Sequence, residues 1–312
     1  MFFGTPEISS EVLTLLIESG IHVEAVVTRP DKRRGRGSDT SPSPVKAAAA
    51  HFNIPCFDSI DAVVSELQNR DSLAGVTGVV VAYGRILKEP LISLIPLVNL
   101  HFSLLPRWRG AAPVERAILT GDAKTGSSIM QIEEGLDTGG VYSVEEVEIL
   151  THESADELRS RLGVVGAQQL VHMLRHGFPQ PTAQVGEPVH AEKISPFELQ
   201  INWNEPAKNA VRRVRLGGAF TNFRNQRVKV LDARVHESVS DNIANNSFAI
   251  GAVTEVRKDG MMVRTVDGYL LVVHVQAESK KPMLARDWAN GLRVAVGDQF
   301  EFLSSSTNKD AT

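Results

Sequence analysis

Several function classes are excluded by what this sequence lacks. Only one of its 312 residues is cysteine, so no intramolecular disulfide can form and no Cys pair can ligate a metal. Cys56 sits between Pro55 and Phe57 and reads as a small apolar residue rather than a nucleophile. No apolar run approaches the roughly 20 residues that a membrane helix needs, and the start lacks the basic and apolar regions of a signal peptide. A cytoplasmic protein in a reducing compartment, without membrane contact, is therefore expected. The Gly-x-Gly-x-x-Gly fingerprint is also missing, because Gly4 has no glycine partners after it, and this argues against nicotinamide chemistry. The nine histidines read as scattered, and no metal site is expected.

What is present points to two units. A chain of this length is comfortable for two cores, and 42% hydrophobic with 22% charged residues is ordinary for a globular protein. Thr5-Pro6-Glu7 reads as a helix cap, a proline at the first position and an acid in the first turn. Strands over His22–Thr28 and Val76–Ala82, with a helix from Pro44 to Phe52, continue an alternation that argues for a doubly wound parallel sheet. From Gly177 to Pro206 the pattern loosens into a proline-containing linker. Beyond it, Asp259-Gly260 and Asp267-Gly268 read as turns joining Ala252–Arg257, Met261–Val266 and Leu270–Gln276 into an antiparallel meander, from which a small barrel is expected. The net charge of −4 hides a concentration of positive charge. Lys208, Arg212, Arg213, Arg215, Arg224, Arg227 and Lys229 fall between Pro206 and Leu231 with no acid among them, a footprint that suits a polyanion.

The most informative stretch runs from Asn99 to Pro113. Leu97 to Leu100 is apolar enough for a buried strand, and residues two apart on a strand share a face, so Asn99 and His101 lie side by side. An amide donor beside an imidazole can hydrogen-bond a developing oxyanion and shuttle a proton, the equipment for acyl-type transfer to a nucleophile brought by the substrate. Gly126 to Gly140 reads as a second strand ending in a loop that carries Asp137. A helix starting at Pro113 and stopped by Gly121 lies between the two strands. The crossover rule makes them parallel and brings His101 and Asp137 to one carboxyl edge, where open α/β sheets bind ligands. Asp137 is then the orienting acid and proton acceptor.

Asn99-x-His101-x-Ser103-Leu104-Leu105-Pro106, the Gly110-x-x-Pro113 element after it and Asp137 in Gly135-Leu136-Asp137-Thr138-Gly139 resemble the folate-dependent formyltransferases that use 10-formyltetrahydrofolate. The similarity extends to Gly4-Thr5-Pro6, Thr28-Arg29-Pro30-Asp31, Pro42–Lys46, Val81-Ala82-Tyr83-Gly84, Ala191-Glu192-Lys193-Ile194 and Lys280–Met283. It implies a Rossmann-like formyltransferase domain over residues 1–180, a linker over 181–205, an OB-like tRNA-binding barrel over 206–303 and a tail over 304–312. It also implies catalysis by Asn99, His101 and Asp137. The folate pocket would be walled by Val81, Tyr83, Gly84, Leu87, Ser103, Leu104, Leu105, Pro106, Gly135 and Leu136. An initiator methionyl-tRNA would be held by Arg33, Arg34 and Arg36 of the first basic loop and by Lys208, Arg212 and Arg215. No metal is implied, and a monomer is expected. Two positions depart from the family pattern. Phe102 stands where a small residue is usual, and Arg215–Phe220 lacks the Asn-Pro-x-Pro of many relatives.

Two other readings share parts of this pattern. A formyltransferase acting on a small amine, an amino sugar nucleotide or glycinamide ribonucleotide, needs the three polar residues but no basic barrel. An RNA-binding protein with a decayed site needs the barrel but not Asn99, His101 and Asp137 together.

Overall fold

The computed structural model describes residues 1–33, 40–236 and 248–302. They form two compact units, one of residues 1–117, 122–151 and 156–193, the other of residues 118–121, 152–155 and the chain from Ile194. The tail expected over 304–312 lies outside the described residues.

The first unit opens with β1 (Phe2–Gly4), α1 (Glu7–Glu18), β2 (Val26–Val27) and the short pair β3 (Lys32–Arg33) and β4 (Thr40–Ser41). There follow α2 (Pro44–His51), β5 (Cys56–Phe57), α3 (Ile60–Gln68), β6 (Gly78–Val81), α4 (Leu91–Leu94) and β7 (Leu97–His101). β5, β2, β1, β6 and β7 are parallel neighbours in that order, so the chain winds to one side of β1 and then to the other, as expected of a doubly wound sheet. Val79, Val80 and Val81 are all buried, as befits a central strand covered on both faces. Thr5 does not cap α1. Its hydroxyl donates to the Tyr83 carbonyl, and Pro6 occupies the cap position without a side-chain bond. The neighbouring Ser9 hydroxyl donates to the Val81 carbonyl at 2.6 Å, and a Cβ on Gly4 would meet the Ser9 Cβ at the same distance, so the Gly4-Thr5-Pro6 turn is fitted to the end of β6.

After β7 the structure corrects the sequence reading. The chain forms β8 (Arg107–Gly110) and α5 (Pro113–Thr120), then returns as β9 (Lys124–Gln131), which pairs with β7 antiparallel and not parallel. The crossover rule presumes a single return path, and here there are two. β8 carries the chain away from the end of β7 and α5 brings it back, so β9 enters beside His101, opposite Ser128, and leaves beside Val98, opposite Gln131. β10 (Val141–Glu148) continues antiparallel at the sheet edge, followed by α6 (Ala155–His176) and β11 (Val189–Ala191). β11 pairs with β8, so part of the stretch expected as a linker is a strand of the first unit. Its prolines and lack of periodicity disguise this, because a three-residue strand shows no period.

In the second unit a short 3₁₀ turn (Pro196–Leu199) and α7 (Ala207–Arg215) precede β12 (Phe220–Phe223), β13 (Gln226–His236), β14 (Val253–Arg257), β15 (Gly260–Arg264), β16 (Tyr269–Ala277), β17 (Met283–Leu284) and α8 (Ala285–Gly291). The strands form one antiparallel sheet, β12-β13-β16-β15-β14, with β17 on β16. Bridges from Gln299 to Ala252 and from Glu301 to Asn222 tie its two ends through one segment, closing a small barrel. Trp203, Phe223, Trp288 and Phe300 fill its core, with Trp203 stacked on Phe300 at 5.4 Å between ring centres. The Asp259-Gly260 turn takes φ +156° at the glycine, where a Cβ would lie 2.3 Å from the Val272 carbonyl oxygen, so the expected hairpin has room only for glycine.

Candidate active site

β7 presents Asn99 and His101 on one face, as the spacing requires; His101 is 5% exposed and Asn99 half-buried. His101 Nε2 lies 2.8 Å from the Trp108 carbonyl oxygen. A carbonyl only accepts, so Nε2 carries the proton and Nδ1 is the nitrogen left to face the site. Asp137 Oδ2 stands 3.7 Å from that Nδ1 and accepts the Gly110 backbone N–H at 2.8 Å. The gap to the imidazole exceeds a hydrogen bond, so the pair is electrostatic at this distance.

Asp137 does not reach His101 from the carboxyl end of a parallel strand. β9 ends beside Val98, and the loop from Ile132 to Gly140 folds back along β7 to bring the carboxylate to His101. Gly139 makes this return possible, since a Cβ there would lie 2.0 Å from the Gln131 carbonyl oxygen. Asp137 itself sits at φ +51°, a left-handed conformation that aspartate tolerates better than most residues.

Trp108, inside the Asn99–Pro113 stretch, and Gly110 of the Gly110-x-x-Pro113 element both hold these side chains in place. Trp108 takes φ +65°, costly for a bulky side chain, and its side chain is held by two partners that also hold each other. Its indole N–H donates to Asp122 Oδ2 at 2.8 Å, Arg107 lies over its ring at 4.5 Å, and Arg107 also pairs with Asp122 at 2.7 Å. The result is a carbonyl aimed at His101. Gly110 (φ +121°) packs against the Ala191 carbonyl, where a Cβ would come within 2.9 Å, and Ala191, the first residue of the Ala191-Glu192-Lys193 motif, is the last of β11, paired with β8. An arginine-flanked tryptophan in a polar loop was the available signal. Ser103, Leu104, Leu105 and Pro106 form the turn that separates β7 from β8. The Ser103 hydroxyl donates to the Arg107 carbonyl at 2.6 Å and the Ser103 carbonyl accepts from Ser128 at 2.6 Å, which gives Ser103 a structural task. Phe102, the residue after the end of β7, is buried.

A cavity of about 740 Å³ lies along the same loop, lined by Ile86, Leu87, Lys88, Glu89, Ile92, Pro96, Leu97, Gln131, Ile132, Glu133, Glu134 and Tyr142. Its size and mixed walls suit a flat heterocycle. Of the residues expected around a folate, Leu87 lines it, and Gly135 and Leu136 follow its Glu133-Glu134 wall, Leu136 with 60% of its surface exposed. Val81 and Tyr83 are buried, Tyr83 in the core against Phe3, where burial raises the pKa of its phenol. Gly84 instead meets the Arg29 guanidinium, which donates to its carbonyl. Ile92 of α4 and Gln131 at the end of β9 are wall residues that the sequence reading missed, because neither belongs to a motif.

The basic residues are placed unequally. On α7 Lys208 is exposed and Ala210 buried, as the helical spacing predicts. Arg212 bonds Asn209 at 3.3 Å, Arg213 pairs with Glu205 at 2.7 Å, and Arg215 donates to the Glu153 carbonyl at 2.7 Å, where burial lowers its pKa. Arg227 and Lys229 stand exposed on one face of β13, Arg227 over the Phe220 ring at 3.7 Å. In the first basic loop Arg33 belongs to β3, while Arg34 and Arg36 lie outside the described residues. The described residues hold no group of three or more metal-ligating side chains. His172 and His176 share a face of α6, their ring centres 4.6 Å apart, which corrects the expectation that the histidines form no His-x-x-x-His helix face. Among the described residues no helix is long and apolar enough to cross a membrane.

Comparison with known proteins agrees with this architecture. The formyl transferase family pattern matches residues 1–174, and that of the formyl transferase C-terminal domain matches residues 193–293. The chain is 38% identical to the methionyl-tRNA formyltransferase of Symbiobacterium thermophilum, over 96% of this chain and 94% of that one. Two solved structures share the fold. HypX from Aquifex aeolicus in complex with tetrahydrofolic acid has a TM-score of 0.59 at 14% identity, over 96% of this chain and 48% of that one. Methionyl-tRNA formyltransferase from Clostridium thermocellum has a TM-score of 0.54 at 16% identity, over 75% and 92%. On sequence and on fold, this chain belongs to the formyl transferase family.

Proposed function

We propose that the protein transfers the formyl group of 10-formyltetrahydrofolate to the α-amine of methionyl initiator tRNA, at the start of protein synthesis. The observation that carries the reading is the pairing of His101 with Asp137 on a strand that also carries Asn99, in a chain that matches methionyl-tRNA formyltransferases over nearly its whole length. The HypX complex with tetrahydrofolic acid supports folate as the occupant. The pterin is assigned to the cavity between Ile86-Leu87 and Gln131–Glu134, whose Ile132–Glu134 wall begins the loop that carries Asp137.

The amine nitrogen attacks the formyl carbon and a tetrahedral oxyanion forms. Asn99 donates to that oxygen, and His101, once protonated on Nδ1, adds a second donor while Trp108 keeps its Nε2 occupied. The Asp137 carboxylate favours the imidazolium. As the intermediate collapses, the bond from the carbon to the folate N10 breaks and the proton lost by the amine ends on N10, carried by His101 or by a water oriented by Asp137. Metal participates in none of these steps. Purified protein with 10-formyltetrahydrofolate, charged initiator tRNA and a chelator is expected to yield formylmethionine and tetrahydrofolate in equal amounts. Consumption of the donor without formylmethionine overturns the reading.

The tRNA body is assigned to the exposed basic residues. With Arg215 held at the Glu153 carbonyl and Arg213 paired with Glu205, the exposed side chains assigned to it are Lys208, Arg227 and Lys229. Replacing Arg227 and Lys229 by Ala is expected to weaken tRNA binding and reduce the slope of log affinity against log salt by about one to two units. Arg215→Ala is expected to lower melting temperature and leave that slope alone. An unchanged slope in the double variant means that this face does not meet the tRNA.

A further inference from the structure

Asn99, His101, Trp108, Gly110 and Asp137 lie on β7, β8 and the Ile132–Gly140 loop, yet the backbone of that loop is held by a residue from elsewhere. Gln184 comes from the irregular stretch before β11 and is only part-exposed. Its Nε2 donates to the Asp137 carbonyl at 2.9 Å and to the Gly139 carbonyl at 2.8 Å. Its Oε1 accepts from Arg109 twice, from Nε at 3.0 Å and from Nη2 at 2.7 Å. The orientation of the amide is unambiguous, because carbonyls only accept and a guanidinium only donates. All four hydrogen-bonding positions that a primary amide uses most readily are filled.

The placement of Arg109 gives this clamp its meaning. Its neighbour on one side, Trp108, supplies the carbonyl that accepts the His101 Nε2–H, and its neighbour on the other, Gly110, supplies the N–H that donates to the Asp137 carboxylate. Three consecutive residues of β8 thus fix the imidazole, the carboxylate and, through Gln184, the main chain that carries the carboxylate. Asp137 is in a left-handed conformation, and a residue there relaxes unless its peptide is tied on both sides.

Resting on the assignment of Asp137 to catalysis, we propose that Gln184 is a positioning residue for formyl transfer, and that the Arg109–Gln184 pair sets the distance of the Asp137 carboxylate from His101. It touches neither folate nor acceptor; it acts through the loop. A change in that distance of the order of 1 Å costs up to about 10²-fold in turnover. The informative substitution is Gln184→Glu, equal in size and still able to pair with Arg109, but with lone pairs where two carbonyls need donors.

The test compares Gln184→Glu, Gln184→Met and Asp137→Asn with the parent protein for kcat, both KM values and melting temperature. The expected result is a kcat about 10-fold to 10²-fold lower in both Gln184 variants, with the folate and tRNA KM values held within about twofold. Gln184→Glu keeps the parent's melting temperature through its Arg109 pair. A parent-like kcat in Gln184→Glu overturns the proposal, as does a raised KM at unchanged kcat. Should Gln184→Met unfold, the Glu variant alone decides. If Asp137→Asn keeps the parent's turnover, the catalytic assignment fails, whatever Gln184 does.

Discussion

Replacing His101 by Ala is expected to lower kcat by about 10²–10³, with the tRNA affinity of the variant unchanged. The imidazole meets charge that exists only in the transition state, so its loss falls on turnover and not on ground-state binding. Asn99→Ala is expected to behave alike, since it removes the second donor to the same oxygen. The buried position of His101 adds a check on the structure. Removing the ring leaves the Trp108 carbonyl without its partner, so a modest fall in melting temperature accompanies the loss of rate. Measurements are kcat with saturating substrates, tRNA affinity by filter binding and melting by calorimetry. Near-parent turnover in either variant removes that residue from the mechanism.

The second large effect belongs to Asp137→Asn. The amide keeps the shape of the carboxylate and can still accept the Gly110 N–H through its oxygen, so the loop remains in place. The charge that favours a protonated His101 is lost, and a neutral isostere beside a catalytic imidazole costs up to about 10⁴ where the tautomer is also reversed. Here Trp108 fixes the tautomer independently, so the expected loss is smaller, about 10²–10³. Turnover and melting temperature are measured together. An Asn variant that unfolds readily shows a structural role, and a fully active one shows no role in the transfer.

The extent to which the sequence revealed this site follows from the range of the interactions involved. Asn99 and His101 were legible because a strand's period of two depends on the backbone alone. The hairpins of the barrel were legible because Asp-Gly turns carry their own conformational demand. The direction of β9 was not, since it depends on β8, a four-residue strand whose partner β11 lies some eighty residues later. The parallel reading therefore brought His101 and Asp137 together by the wrong route. Gln184 was hidden for the same reason: its contacts lie 45 to 75 residues away, and nothing local marks it. The basic run near α7 was visible as composition, but pairing with Glu205 and the Glu153 carbonyl removes two of its arginines from the free charge, and only side-chain geometry reveals that.

The central claim is that this site serves an aminoacyl-tRNA and not a small amine. A competition decides it: labelled 10-formyltetrahydrofolate, methionyl initiator tRNA, glycinamide ribonucleotide and an amino sugar nucleotide are presented together, and the formylated products are separated and counted. The account predicts that the label appears on methionine of the tRNA and on neither small amine. Label on a small amine, with the tRNA left unformylated, contradicts it.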